Sequence, residues 1–240
     1  MKNIPVRKIK PVEPDAPAAE GFSIRRLQDL LNGEALTHEL HRHDFYFVLA
    51  VEQGSGQHQV DFTSHEVKDH SVSILRPGQV HQLNLRAGST GFIMEFSPAF
   101  YESKDLLSAQ ILNRVSSKNE CELDPSKVTK LYSILETILE EHQQKQDSYK
   151  EVIRAELGVF FIELLRHRKT MTASAPTTTT YEQEQLDKLL RLIDSHLATH
   201  KQVSYYADQL NLSAYQLNSI TKSLLGKTCS DLIAEQIILE

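Results

Sequence analysis

Two histidines, His41 and His43, stand two apart at the head of the apolar run HRHDFYFVLA, residues 41–50, and a third, His81, lies near the head of VHQLNL. Alternate side chains of an extended strand share a face. His41, His43, Phe45, Phe47, Leu49 and Val51 therefore point one way. The apolar members must face an interior, so both histidines do too. His81, Leu83 and Leu85 share a side by the same rule, and the Pro77-Gly78 turn feeds that strand. Three imidazoles can thus meet at one rim. The preferred chemistry is a small-molecule site, with His41, His43 and His81 as polar contacts and Phe47 and Leu83 in an otherwise apolar lining. The alternative is a metal site, since three imidazoles plus water can hold zinc. A third reading has the rings merely satisfying backbone groups. No catalytic residue is expected, because the interior set offers no acid or base beyond the histidines. His58 and Tyr46 are weaker candidates. Tyr46 should face away from His43 and pack on a helix. His65 and His70, in TSHEVKDH, read as a solvated loop.

A second chemistry lies near the other end. VSYYADQL reads as a short helix, NLS as a turn, and AYQLNSITKSLLGK as a second helix stopped at Gly226. Leu210, Leu212, Leu217 and Ile220 can pack between them, and small Ala207 permits close approach. Ser213 and Gln216 form a capping-box pattern. This is the layout of a helix-turn-helix. From Ser213 to Lys227 there are two lysines, Lys222 and Lys227, and no acid. That helix would not repel phosphate, although its surroundings are acidic. Tyr215, Gln216, Asn218 and Ser219 carry groups able to bond base edges.

The elements that must hold these residues are legible in outline. FSIRRL, FYFVLAV, HQVDF, SVSIL, VHQLNL and GFIMEF are short β-rich runs separated by turn residues, the pattern of an antiparallel sandwich or barrel. From Asp124 the period becomes helical: Val128, Leu131, Leu135, Ile138, Leu139 and His142 share a face, with Asp124 as N-cap and Pro125 at the first position. A second helix opens at Ser148 and Glu151, with the stripe Ile153, Leu157, Phe160, Phe161, Leu164 and Leu165. These stripes look wider than one hairpin can bury; the remainder faces either the barrel or another subunit, and the expectation adopted is a homodimer through residues 124–168. Residues 171–180, within TMTASAPTTTT, read as a linker, and 1–21 as a flexible leader without a secretory h-region. The 240 residues carry a net charge of −6, so the whole is no polycation. No run is long enough for a membrane span. Two distant cysteines, Cys121 and Cys229, read as reduced thiols in a cytoplasm.

The stretch ADQLNLSAYQLNSITKSLLGKTCSDLI resembles the first helix-turn-helix of the AraC-type transcription regulators. The shared features are Ala207, Leu212-Ser213, Leu217 and Gly226-Lys227; Thr221 stands where an aromatic is usual. The resemblance implies base contacts by Tyr215, Asn218 and Ser219 beside Ser213 and Gln216, with Lys222 near phosphate. An arginine is frequent where Ser219 stands. HRHDFYFVLAVEQGSGQHQVDF and SVSILRPGQVHQLNL are similar to the paired barrel motifs of the cupin-like sensor domain in such regulators. Metal-binding cupins usually add a glutamate three or four residues past the second histidine, where Phe47 and Val48 stand here. The expected fold is α+β: a cupin-like barrel plus hairpin over 22–170, then a separate all-α helix-turn-helix domain over 181–240. The expected function is a ligand-responsive regulator of promoter DNA without a cofactor, not an enzyme. The alternative is a metal-dependent cupin enzyme of isomerase or dioxygenase type with a helical tail. The family joins two helix-turn-helix units by a long helix. TCSDLIAEQIILE would begin that helix, with Thr228 and Asp231 as cap and Leu232, Ile233, Ile237 and Ile238 wanting partners. The chain is thus expected to stop within the DNA-binding domain.

Overall fold

A computed structural model describes residues 4–9, 21–61, 63–101, 106–171 and 180–239. Most of the leader, and residues 172–179 of the linker, lie outside these. The chain divides into two compact units, Met1–Met171 and Thr172–Glu240, and the division falls inside the stretch read as linker.

In the first unit, β1 (Val6–Arg7), β2 (Phe22–Arg26), α1 (Leu27–Leu31), β3 (Leu36–His43), β4 (Tyr46–Gln53), β5 (Gly56–Val60), β6 (Thr63–Val67), β7 (Ser71–Leu75), β8 (Val80–Leu85) and β9 (Thr90–Phe96) come first. Then follow α2 (Pro98–Tyr101), α3 (Leu106–Ser116), β10 (Glu120–Glu122), α4 (Pro125–Gln144) and α5 (Tyr149–Met171). Among the described residues the strands form two five-stranded sheets, ordered β1-β3-β8-β5-β6 and β10-β7-β4-β9-β2. The run at 41–51 is therefore two strands in different sheets, broken at Asp44-Phe45. TSHEVKDH is not a loop throughout: Thr63–Val67 is strand β6, and His65 stands opposite His58. His70 sits in a turn at φ 59°.

β4 explains the architecture. Phe47, Leu49 and Val51 join Phe45, Val60, Leu75, Leu83, Leu85 and Ile93 in the core between the sheets. Tyr46, Val48 and Ala50 face the other way, into a second core with α4 and α5. Both faces are buried, so the strand reads as a continuous apolar run rather than an alternating one. Tyr46 stacks on Phe96 on the helix side, as alternation required. β9 approaches β4 so closely at Gly91 (φ 136°) that a Cβ there would stand 2.0 Å from the Ala50 carbonyl oxygen.

The helical hairpin forms for the reasons in its sequence. Asp124 accepts the Ser126 N–H, and Pro125 occupies the first turn. The start of α5 is closed differently from the expected capping box. Ser148 is left-handed (φ 60°), its carbonyl accepts the Glu151 N–H at 2.9 Å, and the Glu151 carboxylate pairs with Arg154. The apolar surplus is covered within the chain. Leu135, Ile138, Leu157 and Phe161 are each at most 1 % exposed, packed against the β4 sheet. The apolar face cited for a dimer through 124–168 is thus covered within the chain, while Val152 and Val159 of α5 are 37 % and 43 % exposed. Arg26, reaching out from β2, clamps Glu136 of α4 with two bonds of 2.6 Å.

The second unit holds α6 (Thr180–His196), α7 (Val203–Gln209), α8 (Ala214–Leu225) and α9 (Cys229–Leu239). Leu186, Leu189, Ile193, Leu197, Tyr206, Ala207, Leu217, Ile220, Leu232 and Ile233 form its core. Leu232 and Ile233 thus find partners inside the unit, while Ile237 is 37 % exposed. No described helix is long and apolar enough to cross a membrane.

Candidate functional site: a histidine cluster in the barrel

A bulge places the first histidine. The β3–β8 register shifts between His38 and His41, so Glu39 and Leu40 both turn outward and His41 turns in. Bulges re-aim a side chain at the cost of one exposed neighbour, here Leu40. His41 then stands opposite His81 on β8. His43 follows two residues on, and its carbonyl accepts the Gly78 N–H at 2.8 Å, which fixes the Pro77-Gly78 turn on the end of β3. His41, His43 and His81 are all buried. One ring nitrogen from each lies within 4.8 Å of the others. Phe47 stacks on His43 at 5.5 Å, and Leu83 lies in the same core.

His58, ranked low in the sequence, belongs to the cluster. Its Nε2 meets His81 Nδ1 at 3.0 Å, and its Nδ1 faces Ser73 Oγ at 3.3 Å and Glu120 Oε1 at 3.5 Å. Ser73 donates to Glu120 at 2.7 Å. The signal was present in GQHQV, where His58 and Val60 alternate inward against Gln57 and Gln59. Glu95 was missed as well. By alternation with Ile93 it lies on the barrel side of β9, and it pairs with Arg25 at 3.5 Å. The expectation of no acid near the histidines is therefore corrected: Glu120 is linked to them through His58.

One assignment of the ring protons satisfies every contact in the cluster. Ser73 gives its proton to Glu120, so it accepts from His58 Nδ1–H. His58 Nε2 then accepts from His81 Nδ1–H, and His81 Nε2 accepts from His43 Nε2–H at 2.7 Å. His41 Nδ1–H donates to the Glu39 carbonyl at 2.6 Å. What remains is a pair of buried ring nitrogens without partners, His41 Nε2 and His43 Nδ1. Burial, reinforced by the neighbouring His41, brings His43 down to about 3. Burial likewise lowers His41 and His81. All three are neutral imidazoles near pH 7, the form that coordinates metals.

In the second unit the capping box of Ser213 and Gln216 is present in full. Tyr215 is 84 % exposed, and Ser219 and Lys222 are exposed beside it. These fall at i, i+4 and i+7, on one face of α8. Gln216 is exposed, but its carbonyl oxygen is held by Ser213. Asn218 is half-buried, and its side-chain oxygen accepts the Cys229 N–H. Thr221, in the usual aromatic position, is buried, and its hydroxyl donates to the Asn218 carbonyl.

Residues 32–157 match the model of the AraC-like ligand binding domain. The chain belongs to that family. No curated protein sequence matches it. Among solved structures, the AraC-like transcriptional activator CuxR aligns at 12 % identity and a TM-score of 0.37, over 82 % of this chain and 66 % of that one, just under two thirds. Wild-type ToxT from Vibrio cholerae strain SCE256, bound to an unsaturated fatty acid, aligns at 16 % identity and 0.46, over 92 % and 79 %. The plu4264 protein of Photorhabdus luminescens aligns at 14 % and 0.23, over 43 % and 92 %.

Proposed function

We propose that the chain is a ligand-responsive, DNA-binding transcription regulator. The first unit is an AraC-like ligand-binding domain. The effector is sensed where His41, His43 and His81 meet, with Phe47 and Leu83 forming the apolar wall around them. The second unit reads DNA through α8. One observation carries the DNA half. Tyr215, Ser219 and Lys222 form an exposed, acid-free face on the second helix of a capped helix-turn pair. Such a helix presents its outward residues to base edges and phosphates in the major groove. Ser213 and Gln216 hold the start of that helix in place, and Asn218 braces it from behind. No reacting group of an enzyme is needed in this account.

The test is fluorescence anisotropy of the whole chain against labelled upstream DNA and a scrambled duplex. A preference for the upstream fragment that weakens steeply with salt is expected. Equal affinity for both duplexes would sink the reading.

A further inference from the structure

We propose that the barrel histidines bind a divalent transition-metal ion through His41, His43 and His81, and that His58, Ser73 and Glu120 orient the cluster from behind. This rests on the barrel being the sensing site. The first support is convergence: three buried imidazoles offer nitrogens within 4.8 Å of one another. Two nitrogens each ~2.0–2.1 Å from a tetrahedral ion stand about 3.3 Å apart. The His43–His81 contact of 2.7 Å is somewhat tighter than that, so a small opening of the pair seats an ion.

The second support is how the rings are held. A ligating histidine usually gives its other ring N–H to a carbonyl or carboxylate, which fixes tautomer and orientation. His41 does so to the Glu39 carbonyl. His81 does so through His58, which passes the contact to Ser73 and Glu120. That relay crosses the barrel, because His81 and His58 belong to one sheet and Ser73 and Glu120 to the other. The third support is the unpartnered His41 Nε2, a lone pair aimed into the interior. A buried acceptor with nothing to accept is costly unless something binds it.

Atoms balance without gain or loss of protons. His43 moves its proton from Nε2 to Nδ1, which is vacant, and Nε2 then faces the ion. Phe47, which cannot ligate, packs against His43. Three neutral ligands leave the ion's charge uncancelled and one position open, so the site is expected to take a small anion as fourth ligand.

The experiment uses the whole chain, stripped with a chelator and titrated with Zn2+ and with Co2+. One ion per chain is expected, with intense visible Co2+ bands of tetrahedral type. Both should vanish in His43→Ala and His81→Ala. Glu120→Gln, partly exposed and remote from the ion, should keep the apo melting temperature and weaken binding by roughly 10–100-fold. It decides the matter should the buried variants fail to fold. No bound ion, octahedral Co2+ spectra, binding that survives His81→Ala, or an unchanged Glu120→Gln affinity would each overturn the proposal. DNA anisotropy on the same preparations separates the two readings. Specific DNA binding without any ion site refutes the metal and keeps the regulator. An ion site without DNA preference does the reverse.

Discussion

The Asn218 side chain accepts the backbone N–H of Cys229 at 2.9 Å. It ties the middle of α8 to the first turn of α9, where helix N–H groups otherwise lack partners. Asn218→Ala should therefore destabilise the second unit by about 1 kcal/mol, the usual worth of a lost cap. Urea unfolding followed by helical circular dichroism would show this. An unchanged midpoint would mean that the bond contributes nothing.

Tyr215 and Lys222 should behave in the opposite way. Both are exposed and far from the core of their unit, so replacing either with alanine should leave its unfolding midpoint within experimental scatter. Lys222→Ala should weaken binding to every duplex alike and lower the salt slope by about 1. Tyr215→Ala should erode the preference for one sequence. Anisotropy over a salt series separates these outcomes, and loss of stability in either variant would contradict the placement.

Phe161 is fully buried between β4's sheet and the hairpin, edge-on to Tyr101. Phe161→Ala should cost about 3–5 kcal/mol in the first unit. A loss below about 1 kcal/mol in a denaturant titration would show that this face is not packed as described. Sedimentation of the native chain tests separately whether a dimer forms through the exposed Val152 and Val159 of α5.

The pH response of α9 follows from its cap. The Thr228 hydroxyl and N–H both donate to Asp231 and hold its carboxyl below the usual range. A depressed carboxylate stabilises the fold above its unfolded value and loses that contribution as pH falls through the folded one. Melting of the second unit should therefore decline below about pH 4, the ordinary aspartate range. Thr228→Val should flatten that decline while lowering the melting temperature at neutral pH. An equally steep acid limb in the variant would refute the link.

Local pattern carried the sequence reading a long way. Alternation and the Pro77-Gly78 turn pointed to His41, His43 and His81 together, though the bulge that turns His41 inward was not legible, and the helical period set out the hairpin and the helix-turn pair. What escaped was set by distance. Glu120 sits in a three-residue strand whose partner Ser73 lies forty-seven positions away, and no local period announces it. The bond from Asn218 to Cys229 was likewise illegible, because its partner lies eleven residues on, in the next helix. The hairpin's apolar surplus was visible. Its cover was open between the barrel and another subunit, because β4's two apolar faces read in sequence as one uninterrupted run.

That strand is a party wall. Phe47 belongs to the room that holds the histidines, and Tyr46 and Val48, its immediate neighbours, belong to the room roofed by the hairpin. Interiors this close-packed transmit small shifts instead of absorbing them. A displacement of Phe47 would press through Tyr46 and Val48 on the core that α4 and α5 share with β4.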